Sequence, residues 1–292
     1  MTLSMLKSMF RLGSQDLDLI NCNECKACEI VTPGSVTPHD FHVLVRLDAP
    51  VSTGADRPAH IWWPEKVDHH PAIEAVKKAL SDAKEELKGR HVKVTAFEYP
   101  ASFNAPPPTA GTHDILIFPA AVSLSGIPLS ALGDTVVHAL TRVRTSDPKT
   151  MEKETKINGL AYLVCCHTAR DARCGYLGPL LAEKLGAMGE QVFISSHIGG
   201  HQYAGNVVVY GTHQPSAGTW FGGLSADQVP EFLAALKALP LSGDPAADKV
   251  LRKWWRGRVG LTKEEQINHF RRCTRRLADI EDAALPAPNK IK

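Results

Sequence analysis

The chain has 292 residues, 43% of them apolar, which is enough for one large hydrophobic core or two smaller ones. The net charge of +2 gives no global field that would indicate a nucleic acid or a membrane surface as the partner. No stretch of the sequence approaches the roughly 18 consecutive apolar residues that a membrane helix requires. We therefore expect neither nucleic-acid binding nor a membrane span.

The first half of the chain alternates between predicted strands and helices. The pattern predicts a strand over 41–47, a helix over 73–88, strands over 91–97 and 114–118, and a second helix over 129–143. The stretch that follows, 145–156, is polar and contains Pro148, so we place a domain boundary there.

The second half repeats this order. We expect strands over 160–165, 191–195, 207–210 and 219–224, a helix that has Pro179 in its first turn, and another helix over 226–239. With 219–224 left aside as an optional further strand, both halves have the order β-α-β-β-α, the core order of a thioredoxin-like layer. The predicted fold is α/β, with a degenerate thioredoxin-like domain at 36–150 and a second thioredoxin-like domain at 157–240. A cysteine-containing segment at 1–35 precedes them, and a helical extension at 241–292 follows, with a capping box of Thr262 and Glu265.

The seven cysteines form two clusters and one outlier, Cys273. Clustering in a chain of this length favours metal ligation or redox chemistry in a reducing compartment over a secreted disulfide framework. The first fifteen residues weakly resemble an organelle transit peptide, and a frayed terminus is the alternative. We expect a cytoplasmic or organellar protein, with the mitochondrion as one candidate, and not a secreted one.

The first cluster is the run Cys22, Cys25 and Cys28. It could bind a metal ion in addition to any other metal site of the chain, form a redox disulfide or take part in the handling of a metal cluster. A four-ligand metal site would need a further ligand such as His39 or His42. Surface cysteines in a loop are the alternative, and the sequence leaves it open.

A second set of residues indicates chemistry in the second half. Cys165 closes a predicted strand and Cys174 follows nine residues later, whereas His197 and His201 follow the next strand and have two glycines between them. Thiolates and imidazoles suit iron–sulfur clusters or zinc. The paired glycines disfavour a helix and allow a tight loop. These residues predict a metal centre, with iron–sulfur and zinc both open.

Several motifs extend this set: Cys165-x-His167, Arg170-Asp171, Arg173-Cys174-Gly175, Gly178-Pro179 and His197-x-Gly199-Gly200-His201 followed by Tyr203-Ala204-Gly205-Asn206. Together they resemble the sucrase/ferredoxin-like family, which is related to thioredoxin-like [2Fe–2S] ferredoxins. The resemblance covers mainly 160–211. It implies a [2Fe–2S] cluster and a protein that transfers single electrons or senses redox state, with an electron-transfer protein as its unidentified partner. The ligands that it implies are Cys165, Cys174, His197 and His201.

Cys166 competes with Cys165 as a ligand, but strand alternation points the two to opposite faces, so we favour Cys165. Two imidazole ligands would raise the reduction potential and couple it to pH. For Arg170, Asp171 and Arg173, support of the cluster and a loop-stabilising salt bridge are both open. The residues expected around the ligands are His167, Arg170, Asp171, Arg173, Gly199, Gly200 and Tyr203.

Two other functions could use the same cysteines and histidines. A thiol–disulfide oxidoreductase of the same fold would carry Cys-x-x-Cys at a helix start, and the 165–174 region lacks that spacing. A structural zinc protein with two cysteines and two histidines is not separated from a cluster protein by sequence. The ten lysines and arginines in 249–276 could steer an acidic partner, or they could form a solvated helix face. An electron carrier is favoured over an enzyme with its own substrate.

Overall fold

The computed structural model describes residues 31–47, 63–100, 103, 105, 109–145, 154–211, 217–240 and 243–284. These residues form a mixed α/β structure with five α-helices and one ten-stranded sheet. Among them, no helix is long and apolar enough to cross a membrane. The run Cys22, Cys25 and Cys28 lies outside the described residues.

The first half of the fold begins with a strand, and a histidine and a proline set the start of its first helix. His70 accepts a hydrogen bond from the backbone N–H of Ala72 at 3.2 Å, and Pro71 occupies the first helical position. The elements of this half are β1 (Phe41–Arg46), α1 (Pro71–Asp82), β2 (Val92–Glu98), β3 (Thr112–Phe118), β4 (Val122–Pro128) and α2 (Leu129–Thr145).

The second half of the chain starts with a short strand at the edge of the sheet, continues with four strands and two helices, and is followed by the C-terminal extension. Its elements are β5 (Glu154–Lys156), β6 (Leu160–Cys165), α3 (Ala172–Ala187), β7 (Gln191–Ser195), β8 (Val207–Gly211), β9 (Ala217–Phe221) and α4 (Val229–Ala238). The extension contributes β10 (Trp255–Arg258) and α5 (Lys263–Ala284). The predicted capping box at the start of α5 is confirmed, because Glu265 N–H donates to Thr262 Oγ1 and Thr262 N–H donates to Glu265 Oε2.

The two halves have the same strand topology. In each, two parallel strands are connected through a helix, and two further strands continue the sheet antiparallel, so the order along the sheet is second, first, third, fourth. The halves join edge to edge through antiparallel pairing of β2 and β7, in which Phe97 faces Ser195. The full order is β10-β9-β8-β6-β7-β2-β1-β3-β4-β5.

Some predicted elements differ from the structure. Strand β4 was not predicted, because Ser123, Ser125 and Gly126 break the apolar run that identifies a buried strand. The prediction that Pro179 lies in the first turn of its helix is wrong, since α3 begins at Ala172 and Pro179 lies inside it. The sequence signal for the true start is the cap residue Asp171, whose carboxylate accepts the N–H of Arg173 at 2.9 Å.

Most of the helical surface packs on one face of the sheet, whereas Cys165 and Cys174, the latter in the first turn of α3, belong to the core on the other face. Apolar residues of α1, α2, α3 and α4 form one buried core with the side chains of the sheet that point toward the helices, and this core includes Val164 and Cys166. The alternate positions of β6 belong to a second core, together with Cys165 and Cys174. Cys165 and Cys166 therefore lie on opposite faces, as strand alternation requires.

Candidate metal centre

Two cysteines meet at the carboxyl end of β6. Cys165 is the last residue of that strand, and Cys174 lies in the first turn of α3, which the Asp171 cap positions. Both side chains are buried. The helix start that follows Asp171 presents backbone N–H groups and a positive dipole end, which favour negative charge on a nearby sulfur.

The pKa of the Cys165 thiol is well below its ordinary value. The main cause is a hydrogen bond from the Cys174 thiol, and a hydrogen bond and charge from His197 act in the same direction against the effect of burial. The pKa of Cys174 is correspondingly raised, because its thiol donates to Cys165 and is itself buried. Cys165 is therefore the centre of a contact set that contains Cys174 and His197, and both contacts favour its thiolate form.

The histidine loop connects β7 to β8. His197 follows the end of β7 by two residues, and Gly199 and Gly200 have φ angles of 100° and 72°, which a side chain would disfavour. His201 begins a short 3₁₀ turn (His201–Tyr203). The side chain of His201 lies outside the described parts of the structure, so its place as a fourth ligand stays a prediction.

His167, which lies in the segment between Cys165 and Cys174, connects that segment to the histidine loop. Its Nδ1 accepts a hydrogen bond from the backbone N–H of His197 at 3.1 Å, and its Nε2 donates to the carbonyl of Pro64 at 2.9 Å. Burial lowers the pKa of His167, which keeps the ring neutral in this tautomer. Both ring nitrogens are thus engaged, and His167 holds the backbone of His197 in place.

The charged residues between the cysteines form ion pairs. Arg170 contacts Glu65 at 3.0 Å on the surface, and Arg173 contacts Asp171 at 2.9 Å. Asp171 therefore both caps α3 and binds Arg173. Of the two roles that the sequence left open for these residues, this geometry fits the loop-stabilising salt bridge. Arg170 pairs with Glu65 at the protein surface.

Sequence reasoning missed Arg256 of β10 as a site residue. It belongs to the basic stretch 249–276, yet it is only 1% exposed. Its guanidinium donates to Asn206 Oδ1 at 2.6 Å, to the carbonyl of Gly199 at 3.2 Å and to Ser35 Oγ at 3.1 Å. It also stacks over the ring of Tyr203, 4.9 Å from the centroid. The apolar neighbours in the sequence W-W-R-G-R-V were the available signal that this arginine is buried.

Arg256 and Asn206 together fix both glycines of the histidine loop. Asn206 Nδ2 donates to the carbonyl of Gly200 at 3.1 Å, and Arg256 holds the carbonyl of Gly199. A Cβ on Gly200 would collide with the Arg256 guanidinium, so only glycine allows this approach. Burial lowers the pKa of Arg256 to about 10, and the nearby Tyr203 and the two cysteines oppose that effect, so a cation remains beside the thiols at neutral pH.

The histidines considered as ligands for the N-terminal cysteine run are engaged inside the fold. His42 contacts Tyr210 Oη at 3.1 Å and Thr95 Oγ1 at 2.8 Å, which uses both ring nitrogens. His39 contacts the carbonyl of Thr37 at 2.8 Å and is 5% exposed. His42 thus has no ring nitrogen left for a metal, whereas Nε2 of His39 has no hydrogen-bond partner among the described residues. The cysteine run itself lies outside those residues, so a second site there stays a prediction.

A second group of potential ligands was missed by sequence reasoning. Asp244, His269 and Cys273 have ligand atoms within 4.8 Å of one another. Among the described residues, no other three such donors have all their ligand atoms within this distance. Cys165, Cys174 and His197 do not meet it. The sequence signal was the spacing of His269 and Cys273, four residues apart on a helix.

Comparison with known proteins identifies relatives over part of the chain. A protein of Clavispora lusitaniae named altered inheritance of mitochondria protein 32 is 41% identical over 26% of this chain and 30% of the relative. The protein of the same name from Debaryomyces hansenii is 36% identical, also over 26% of this chain and 30% of the relative. Actin patches distal protein 1 of Saccharomyces cerevisiae is 29% identical over 25% of this chain and 28% of that protein.

Each of these alignments spans less than a third of the relative's length. No solved structure matches the chain. A family model described as sucrase/ferredoxin-like matches residues 32–257, which include both halves of the sheet and Arg256. The chain belongs to the sucrase/ferredoxin-like family.

Proposed function

We propose that this protein holds a [2Fe–2S] cluster through Cys165, Cys174, His197 and His201 and transfers or senses single electrons. The observation that carries the proposal is the contact of two buried thiols and one imidazole around Cys165. When bound, such a cluster supplies one-electron chemistry. The donor set, with two sulfurs and nitrogen, has the softness that iron–sulfur clusters require.

The surrounding residues support a redox role. Arg256 is a buried cation in electrostatic range of both thiols, so it favours added negative charge at the site. His167 and Asn206 hold the backbone of the histidine loop from two sides. Fixed surroundings of this kind reduce the rearrangement that accompanies a change of charge.

The site also has an exposed side. The thiols are buried, whereas His197, Gly199 and Gly200 are partly exposed and Gln202 is exposed. An electron-transfer partner would therefore approach the histidine loop, and the imidazole edge would lie between the partner and the sulfurs. We propose such a protein as the partner.

A single zinc ion is the alternative metal. It would gather its ligands tightly around one point. The two thiols and the imidazole gathered around Cys165 are ligand types that suit zinc as well as an iron–sulfur cluster, so the donor set alone does not separate the two. Metal analysis separates the two possibilities directly.

A thiol–disulfide oxidoreductase is the second alternative, because the pKa of Cys165 is lowered and Cys174 is adjacent. Disulfide exchange requires an accessible sulfur. Cys165 is 1% exposed and Cys174 is fully buried, so a protein substrate has no access to either. The geometry therefore favours the cluster.

The thioredoxin-like assignment is supported by the element order of each half, β-α-β-β-β-α, which contains the predicted β-α-β-β-α order with one additional strand, and by the strand arrangement that the halves share. We propose that the second half is the cluster-binding thioredoxin-like unit and that the first is a degenerate copy. The relatives named for altered inheritance of mitochondria support a mitochondrial link as part of this proposal. Imaging of the tagged full chain would test that link.

The proposal is tested on protein purified without oxygen. We expect two irons and two sulfides per chain, visible absorption, and a rhombic electron-spin resonance signal after reduction. A colourless protein that contains zinc instead would support the structural-zinc alternative and contradict ours.

A further inference from the structure

Three donor side chains meet where the C-terminal helix packs against the segment that follows α4. His269 and Cys273 lie one turn apart on α5, and Asp244 caps the short turn Pro245–Ala247. Asp244 Oδ2 lies 2.6 Å from His269 Nε2, and Cys273 Sγ lies 3.8 Å from the same nitrogen. The three side chains thus converge on one point.

This convergence differs from a hydrolytic Cys–His–Asp arrangement. In such a triad, one ring nitrogen of the histidine contacts the nucleophile and the other contacts the acid. Here the carboxylate and the thiol both contact Nε2 of His269. An arrangement with all donors aimed at one point suits a bound cation better than a proton relay.

We propose that Asp244, His269 and Cys273 bind a divalent transition-metal ion, with zinc as the best match. Carboxylate, imidazole and thiolate are all zinc ligands, and two anionic ligands balance the charge of the ion. The second oxygen of Asp244 accepts the N–H of Ala246 at 2.9 Å, which orients the carboxylate. The side chains of Asp244 and His269 are 26% and 19% exposed, so water can reach a fourth position.

A metal ion bound by these three residues would link α5 to the segment after α4. Between these elements the chain forms β10, which carries Arg256. The ion would therefore stabilise the extension that contacts the histidine loop. His269 and Cys273 lie beyond the region 32–257 that the family model matches, so the site is a property of this extension.

The test compares wild type with Cys273→Ser and Asp244→Asn in the full chain. After dialysis against a chelator, each protein is incubated with zinc, and bound zinc per chain and the thermal midpoint are measured. We expect each variant to bind one zinc less than wild type at low zinc. We also expect its affinity for that ion to fall by more than about 100-fold, since even neighbours of ligands contribute 10- to 100-fold.

The matched control is Cys166→Ser, which removes a buried thiol outside the trio. It should keep the wild-type zinc count and the zinc-dependent rise in thermal midpoint. Equal midpoints of wild type and Cys273→Ser in chelator show that the variant folds. Equal zinc content of wild type, Cys273→Ser and Asp244→Asn would overturn the site and leave an ion pair of Asp244 with His269. Iron and sulfide content is measured alongside and should not change, so the result does not depend on the proposed cluster.

Discussion

Arg256 donates a 2.6 Å hydrogen bond to the side-chain oxygen of Asn206, and the two residues hold the carbonyls of Gly199 and Gly200 between them. The arginine comes from the C-terminal extension, and the glycines belong to the loop between β7 and β8. The shape of the histidine loop therefore depends on a segment more than fifty residues further along the chain.

Replacement of this arginine should destabilise the fold. Arg256→Gln removes a buried cation and leaves the carbonyl of Gly199 without its donor, so we expect a loss of roughly 3 kcal/mol in the free energy of unfolding. Arg256→Lys should restore little of it, because an ammonium cannot reproduce the planar fork. Urea denaturation measures both, with the exposed Arg275→Gln as the control. Equal midpoints for Arg256→Gln and the control would contradict the role of Arg256.

The two loop glycines provide a matched comparison. Both have positive φ, but a Cβ on Gly199 would meet nothing within 4 Å, whereas one on Gly200 would enter the Arg256 guanidinium. Gly199→Ala should cost about 1 kcal/mol from the backbone alone, and Gly200→Ala should cost clearly more. Thermal denaturation of the two variants compares them. A larger loss in Gly199→Ala would show that the contact with Arg256 is unimportant.

Buried histidines should make the fold sensitive to acid. Burial lowers the pKa of His39 to about 4 and that of His42 well below its ordinary value. The unfolded chain then binds more protons than the folded one, so this contribution to stability is complete above pH 6.5 and is lost as the pH falls toward 4. For His39 the loss is roughly 3 kcal/mol.

Unfolding free energies measured from pH 7 to pH 4 test this expectation. His39→Asn should flatten the slope relative to wild type. His91→Asn, at an exposed position, serves as the control and should leave the slope unchanged. An unaltered slope in His39→Asn would mean that His39 does not remain neutral in the folded protein.

Histidine ligation should set the reduction potential. His197→Cys replaces a neutral ligand by an anionic one, so we expect a cluster to remain and its potential to fall. The potential is measured by redox titration of the visible spectrum. Since His167 uses both ring nitrogens in hydrogen bonds, we expect His167→Cys to alter stability rather than ligation. A potential in His197→Cys equal to that of wild type would exclude this histidine as a ligand.

The sequence indicated the parts of the site that depend on local pattern. The apolar run at 160–165 predicted β6 with its observed bounds, and strand alternation correctly separated Cys165 from Cys166. The paired glycines correctly indicated a loop, not a helix, between His197 and His201. These features depend on neighbouring residues, which a sequence displays directly.

The missed features depend on contacts between distant residues. Arg256 meets Ser35 and Asn206 across 221 and 50 positions of the chain, and no periodicity reports such pairs. A basic residue in a basic segment is ordinarily solvated, so burial of Arg256 had little local signal. Asp244 and His269 likewise meet only because α5 folds back onto the segment after α4.

The most direct test of the central claim uses Cys165, the last residue of β6, and Cys166, which follows it, as a matched pair. Cys165→Ser and Cys166→Ser each replace one buried thiol, and the two thiols lie in the cores on opposite faces of the sheet. Iron and acid-labile sulfide per chain are measured in both variants after purification without oxygen. We expect Cys165→Ser to lose the cluster and Cys166→Ser to retain it; equal iron and sulfide content in the two variants would contradict the assignment.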